Sequence, residues 1–144
     1  YETYKYPITI TRCSNNYGPN QHPEKLVPKL IQNIRNGQSV PIYGDGKNIR
    51  DWVHVEDHCE AIDVVLHKGE DGEVYNIGGE CEKRNIEIVN DVLMNLEASS
   101  DLIEYVEDRK GHDWRYAMNI SKIKNKLGWS PKKEFHKSIG ELIK

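Results

Sequence analysis

The run YPITITRC, Tyr6 to Cys13, constrains this chain most. Ile8 and Ile10 alternate with Thr9 and Thr11, the period-two pattern of a β-strand. A strand this apolar belongs in a sheet interior, yet the few residues before it cannot supply neighbouring strands. Its partners are later strands or residues outside this sequence. The second alternative is the expected one, and it makes the chain the carboxyl-terminal part of a larger α/β protein. The strand empties into SNNYGP, Ser14 to Pro19. Asn, Gly and Pro are ordinary turn residues, because Asn tolerates left-handed angles, Gly lacks a Cβ and Pro presets φ. Two short amides at the carboxyl end of a strand also stand where open α/β sheets bind ligands. Locally, both readings hold.

Helical and extended patterns then alternate. PEKLVPKLIQNIRNG puts Leu26, Val27, Leu30, Ile31 and Ile34 on one helical face, with Pro28 in the first turn and Gly37 as the stop. SVPIYGDGKNIRDWVHV reads as two extended runs joined through Gly44-Asp45-Gly46, a turn of the hairpin kind that also permits a crossing to another strand. A helix is expected from about Glu56 to His67, and EVYNIGG repeats the opening theme of a short strand running into an asparagine, Asn76. Asn85 is the expected N-cap of a helix carrying Ile86, Val89, Val92, Leu93 and Leu96. IEYVEDRKGHDWRY gives a brief extended piece and a charged loop. Two short helices follow, one before Gly128 and one from about Glu134 to Ile143.

The totals narrow the function. At 144 residues the chain is of single-domain length, and its net charge of -3 argues against a sequence-independent nucleic-acid binder. Cys13, Cys59 and Cys81 are far apart and in no CxxC pairing, so neither a disulfide framework nor a zinc site is indicated. A reducing, cytoplasmic setting fits. No apolar run is long enough to span a membrane, so no membrane partner is expected.

Four loops gather ligand-type residues, each following or joining a strand-like run: Asn15 and Asn16; Tyr43 to Arg50; Asn76 to Gly79; and Asp108 to Asp113. Four such loops together resemble a cleft built on a scaffold. The Arg50 guanidinium suits a phosphate, or else a surface pair with Asp51 or Asp45. Arg109, Lys110 and His112 around Gly111 have the composition of an anion-binding loop, or of a solvated charged turn. Two short matches carry nothing. Tyr1 and Lys5 have the Tyr-x-x-x-Lys spacing but stand too close to the strand for the helix that pattern needs, and His54 and His58 lack a third metal ligand. No GxGxxG or P-loop occurs.

The blocks TRCSNNYGPNQHPEKLVP, PIYGDGKNIRDWVHVEDH, YNIGG and DRKGHDWRYAMN, in this order, resemble the carboxyl-terminal portion of dTDP-glucose 4,6-dehydratases, enzymes of the extended short-chain dehydrogenase/reductase superfamily. The resemblance implies a small mixed α/β substrate-binding domain over residues 1–144, part of a two-domain Rossmann-type enzyme whose NAD-binding domain is absent. Residues 1–16 would include a strand of that absent domain. By the same resemblance Asn15 contacts a dTDP-sugar and Asn16 faces the NAD cofactor. Lys25, Leu26, Pro41, Ile42 and Tyr43 line the nucleotide pocket, and Arg50, Asn76 and Arg109 hold the diphosphate, bordered by Asp108, Lys110, Gly111 and His112. Lys110 departs from the family's usual proline. No catalytic or metal-binding residue is implied here, the segment is inactive by itself, and the full enzyme is a homodimer. The alternatives are a fragment of an NAD-dependent UDP-sugar epimerase or decarboxylase, and a non-catalytic nucleotide-binding module.

Overall fold

A computed structural model describes all 144 residues. Its elements are β1 (Ile10–Cys13), β2 (Asn15–Tyr17), α1 (Leu26–Arg35), β3 (Val40–Tyr43), β4 (Ile49–His54), α2 (Val55–Lys68), β5 (Val74–Ile77), β6 (Glu82–Arg84), α3 (Asn85–Asn95), β7 (Ile103–Val106), β8 (Arg115–Tyr116), α4 (Ser121–Leu127) and α5 (Phe135–Ile143). The strands are short and mostly parallel. β1 pairs with β5, β2 with β4, β3 with β7 and β8 with β4 in parallel, while β4 and β6 run antiparallel.

The Gly44-Asp45-Gly46 turn does not close a hairpin. Gly44 and Gly46 have the left-handed φ values of +58° and +69° that such a turn needs, but the strands they join enter different sheets. The reason lies in β4. Successive strand residues point to opposite faces, and Trp52 and Val53 are both buried, each in a separate core. A strand apolar on both faces sits between two layers, and β3 goes elsewhere.

One core packs α1 (Val27, Leu30, Ile34) and α3 (Ile88, Val89, Val92, Leu93) against Val40, Ile42 and Trp52, and is closed by Phe135 and Ile139 of α5. The other packs Ala61 and Val65 of α2 against Tyr75 and Ile77 of β5, with Ile123 and Trp129 beneath. Burying each of these aliphatic side chains contributes about 1.5–3 kcal/mol. α3 begins at Asn85, one residue earlier than an Asn85 cap requires. Asn85 N–H donates to Asn48 O at 3.1 Å, and Glu87 Oε2 accepts from Arg84 N–H at 2.6 Å, so Arg84 occupies the cap.

α2 starts directly from β4 because His54 caps it. His54 Nδ1 accepts from Glu56 N–H at 3.2 Å, and the ring, 5% exposed, meets Tyr17 edge-on at 5.1 Å. Burial pushes both His54 and His58 below the usual imidazole range. The unfolded chain therefore takes up these protons first, so their contribution is complete above about pH 6.5 and is lost as pH falls through the folded values. The urea midpoint is expected to drop between about pH 7.5 and about pH 5.5. His54→Asn, which keeps an acceptor at the cap and does not titrate, flattens that slope; a slope equal to that of the parent chain refutes the assignment.

Candidate functional site

Parallel register brings the polar loops together. β3 and β7 pair Tyr43 with Val106, so the loops that follow them leave from the same end. They touch there: a Cβ on Gly44 would lie 3.1 Å from Asp108 Oδ2. β2 and β4 pair Asn15 with Trp52, and β8 sets Tyr116 opposite Arg50, which draws the charged 107–114 loop alongside β4. Arg50 Nη2 donates to Asp113 O at 2.8 Å and Nη1 to Ile49 O at 2.7 Å, while Asn48 Nδ2 reaches the same Asp113 oxygen at 3.2 Å.

Two adjoining cavities result. The first, about 340 Å³, has an apolar wall of Leu26, Leu30, Pro41, Ile42, Trp52 and Val89, the amides of Asn15, Asn33 and Asn85, and the cations Lys29, Arg50 and Arg109 beside Tyr43. The second, about 210 Å³, has no apolar lining and is formed by Arg50, Arg109, Lys110, Gly111, His112 and Asp113. Arg50, Arg109 and His112 belong to both, so the two form one cleft. The Arg109 guanidinium lies 5.3 Å from the Tyr43 ring centroid, and the His112 ring meets Tyr43 edge-on at 6.5 Å. His112 Nδ1 sits 2.6 Å from Asp108 Oδ1, a bond that holds the Asp108 carboxyl below the usual carboxylate range. Chemically, one end of this cleft suits a planar ring and the other a polyanion.

The expected residues divide accordingly. Asn15, Leu26, Pro41, Ile42, Tyr43, Arg50, Arg109 and His112 line the first cavity, and Lys110 and Gly111 the second. Asp108 stands behind His112. Lys25 is exposed at the cap of α1 and Asn76 lies in β5 with its Nδ2 on Asn119 O at 3.3 Å; neither lines the cleft. Asn16 is bonded within the protein, to Ser14 O and to His58. The sequence reading missed Lys29 and Asn33, four apart on α1, whose spacing puts them on one face. It also read Leu30 and Val89 as core alone. A larger groove of about 680 Å³ runs along α1; it holds one cation, Arg35, which donates to Ile143 O, against the three cations of the first cavity.

Residues 1–142 match the family model of GDP-mannose 4,6-dehydratases. The chain belongs to this dehydratase family. The low-salt glycan biosynthesis protein Agl12 of Haloferax volcanii is 52% identical over 142 residues, covering 99% of this chain and 46% of that protein. A dTDP-glucose 4,6-dehydratase from Bacillus anthracis, solved in complex with NAD, superposes with a TM-score of 0.94 at 55% identity, covering 99% of this chain and 45% of its own. The Streptomyces venezuelae dTDP-glucose 4,6-dehydratase, also solved with NAD bound, gives 0.95 at 45% identity, covering 99% and 44%. The expected family resemblance and small mixed α/β fold are borne out, and the chain spans less than half the length of these relatives. No helix of this family member is long and apolar enough to cross a membrane.

Proposed function

We propose that residues 1–144 form the carboxyl-terminal nucleotide-sugar-binding domain of an NAD-dependent dTDP-glucose 4,6-dehydratase. The observation that carries this reading is the single cleft in which Arg50, Arg109 and His112 join an apolar, Tyr43-bearing end to a cationic end, in a chain 55% identical to such a dehydratase. Tyr43 offers its face to the base, with Leu26, Pro41 and Ile42 around it. Arg50, Arg109, Lys110, Gly111 and His112 take the diphosphate, and Asp108 orients His112. Asn15 takes the sugar.

The reaction oxidises the glucose C4 hydroxyl, removes water across C5 and C6, and returns a hydride to C6. NAD, when bound, accepts and returns that hydride. This segment carries no glycine-rich phosphate turn, so the greater part of the NAD site is assigned to the absent portion, and Asn16, whose Oδ1 keeps one lone pair beyond its bond to His58, is assigned to the cofactor's side. The segment's own task is to hold the diphosphate, so that remote binding energy keeps the sugar in reactive geometry. Exposed apolar side chains support a covering domain: Ile8, Ile10 at the start of β1, and Ile62 and Leu66 on α2, the last 75% exposed. Residues 1–16 then include a strand of that Rossmann domain. We assign the enzyme to the cytoplasm, as a homodimer, with this segment inactive by itself.

Offered dTDP-glucose, UDP-glucose and GDP-mannose separately, the longer enzyme is expected to form a 4-keto-6-deoxy sugar from dTDP-glucose, and the 144-residue chain is expected to form none. A C4-epimerised UDP-sugar as the main product overturns the reading in favour of an epimerase.

A further inference from the structure

The turn after β1 is pinned from several sides. Tyr116 Oη donates to Cys13 O at 3.0 Å, and Gln21 Nε2 donates to Asn16 O at 2.8 Å. Within the turn, Asn16 Nδ2 donates to Ser14 O at 3.1 Å and weakly to Cys13 Sγ at 3.4 Å. These bonds decide which way the Asn16 amide points. A carbonyl only accepts, so Nδ2 must face Ser14 O and Oδ1 must face the other way. Oδ1 lies 2.7 Å from His58 Nδ1. Because an amide oxygen cannot donate, the proton in that bond belongs to His58 Nδ1, and neutral His58 is the Nδ1–H tautomer.

We propose that His58 is a positioning residue, whose Nδ1–H fixes the Asn16 amide and, through it, the Cys13–Ser14 backbone that presents Asn15 to the cleft. His58 touches neither cavity. It stands on the first turns of α2, an element held at its start by the His54 cap and packed into the second core through Ala61 and Val65. The bond therefore ties a short strand-end turn to a rigid helix. Imidazole and imidazolium both carry Nδ1–H, so the tie persists in either charge state, which suits a positioning role and not a switch. Without it, the Asn16 side chain is free to rotate and Ser14 O loses that donor, leaving the turn to the β2–β4 ladder and the bonds that Tyr116 and Gln21 donate to its backbone.

This inference deepens the proposed function and rests on it, so its test has two arms. In the longer enzyme, His58→Ala and His58→Gln, whose amide reaches only the Nε2 position, are expected to lower kcat/KM for dTDP-glucose about tenfold, the scale of one hydrogen bond. His58→Asn, which returns a donor near the Nδ1 position, is expected to recover most of that loss. Activity of His58→Ala equal to wild type, or no recovery by His58→Asn, overturns the inference. The second arm needs no turnover. Imidazole ¹⁵N spectra of the 144-residue chain are expected to show Nδ1 protonated and Nε2 bare in neutral His58, with the Asn15 and Asn16 side-chain amide signals moved by His58→Ala and kept by His58→Asn. An Nε2–H tautomer overturns the tie even where the enzyme is active; an inactive wild-type enzyme with the Nδ1–H tautomer sinks the proposed function and leaves the tie standing.

Discussion

Gly79→Ala is expected to destabilise the fold by at least about 3 kcal/mol, at the upper end of what overpacking costs. A Cβ at Gly79 would overlap Trp52 O, stand 2.5 Å from Trp52 C and lie 3.1 Å from Val53 Cα, all backbone atoms of β4. β4 cannot move aside, because it is bonded to β2, β6 and β8 and divides the two cores. The turn cannot move either: Asp51, 1% exposed, accepts from Gly79 N–H at 3.1 Å and from Cys81 N–H at 2.9 Å. Gly37→Ala is the control. Gly37 has a φ of +63° and open space around a Cβ, so only backbone strain of about 1 kcal/mol is expected. Urea titrations of the two variants check the ranking, and equal losses would mean that the Asn76–Gly79 turn is not packed against β4 as described.

Arg50→Ala is expected to weaken dTDP binding by the longer enzyme about 10–100-fold, the loss of a charge-assisted, forked contact to phosphate. Folding is expected to change little, since the guanidinium serves only Ile49 O and Asp113 O at the surface. Arg50→Lys keeps the charge without the fork and is expected to fall between. Turnover should fall along with affinity, because the diphosphate anchors the reacting sugar. Calorimetry with dTDP, run beside thermal unfolding, separates the two effects. Undiminished affinity in the alanine variant would remove Arg50 from the site.

The same residues show what could be read from the sequence. Periodicity found α1, α2, α3 and α5, because each buries one apolar stripe against a sheet or another helix. The Gly44–Gly46 turn was legible as a turn but not as the link between two sheets, since the two-sided burial of β4 depends on layers that no local pattern displays. The local alternatives for Arg50 also needed tertiary structure to separate them. Asp51 is buried on backbone donors and Asp45 pairs with Lys47 at 2.8 Å, so neither is a partner of Arg50.

The convergence of the Tyr43 and Asp108–Asp113 loops follows from the parallel pairing of β3 with β7, whose 63-residue separation hides it from any short sequence window. Lys29 and Asn33 escaped notice for a related reason. They lie on α1 beside the stripe that defined it, and only the position of β3 shows that this flank meets a cavity.

A nucleoside diphosphate is expected to lie in the Tyr43–Arg50–Arg109 cleft. Chemical-shift mapping of dTDP on the isotopically labelled 144-residue chain tests it most directly. The predicted result is perturbation concentrated at Asn15, Tyr43, Arg50, Arg109 and His112. Perturbation confined to the outer groove of Pro19, Val27 and Arg35 would contradict it.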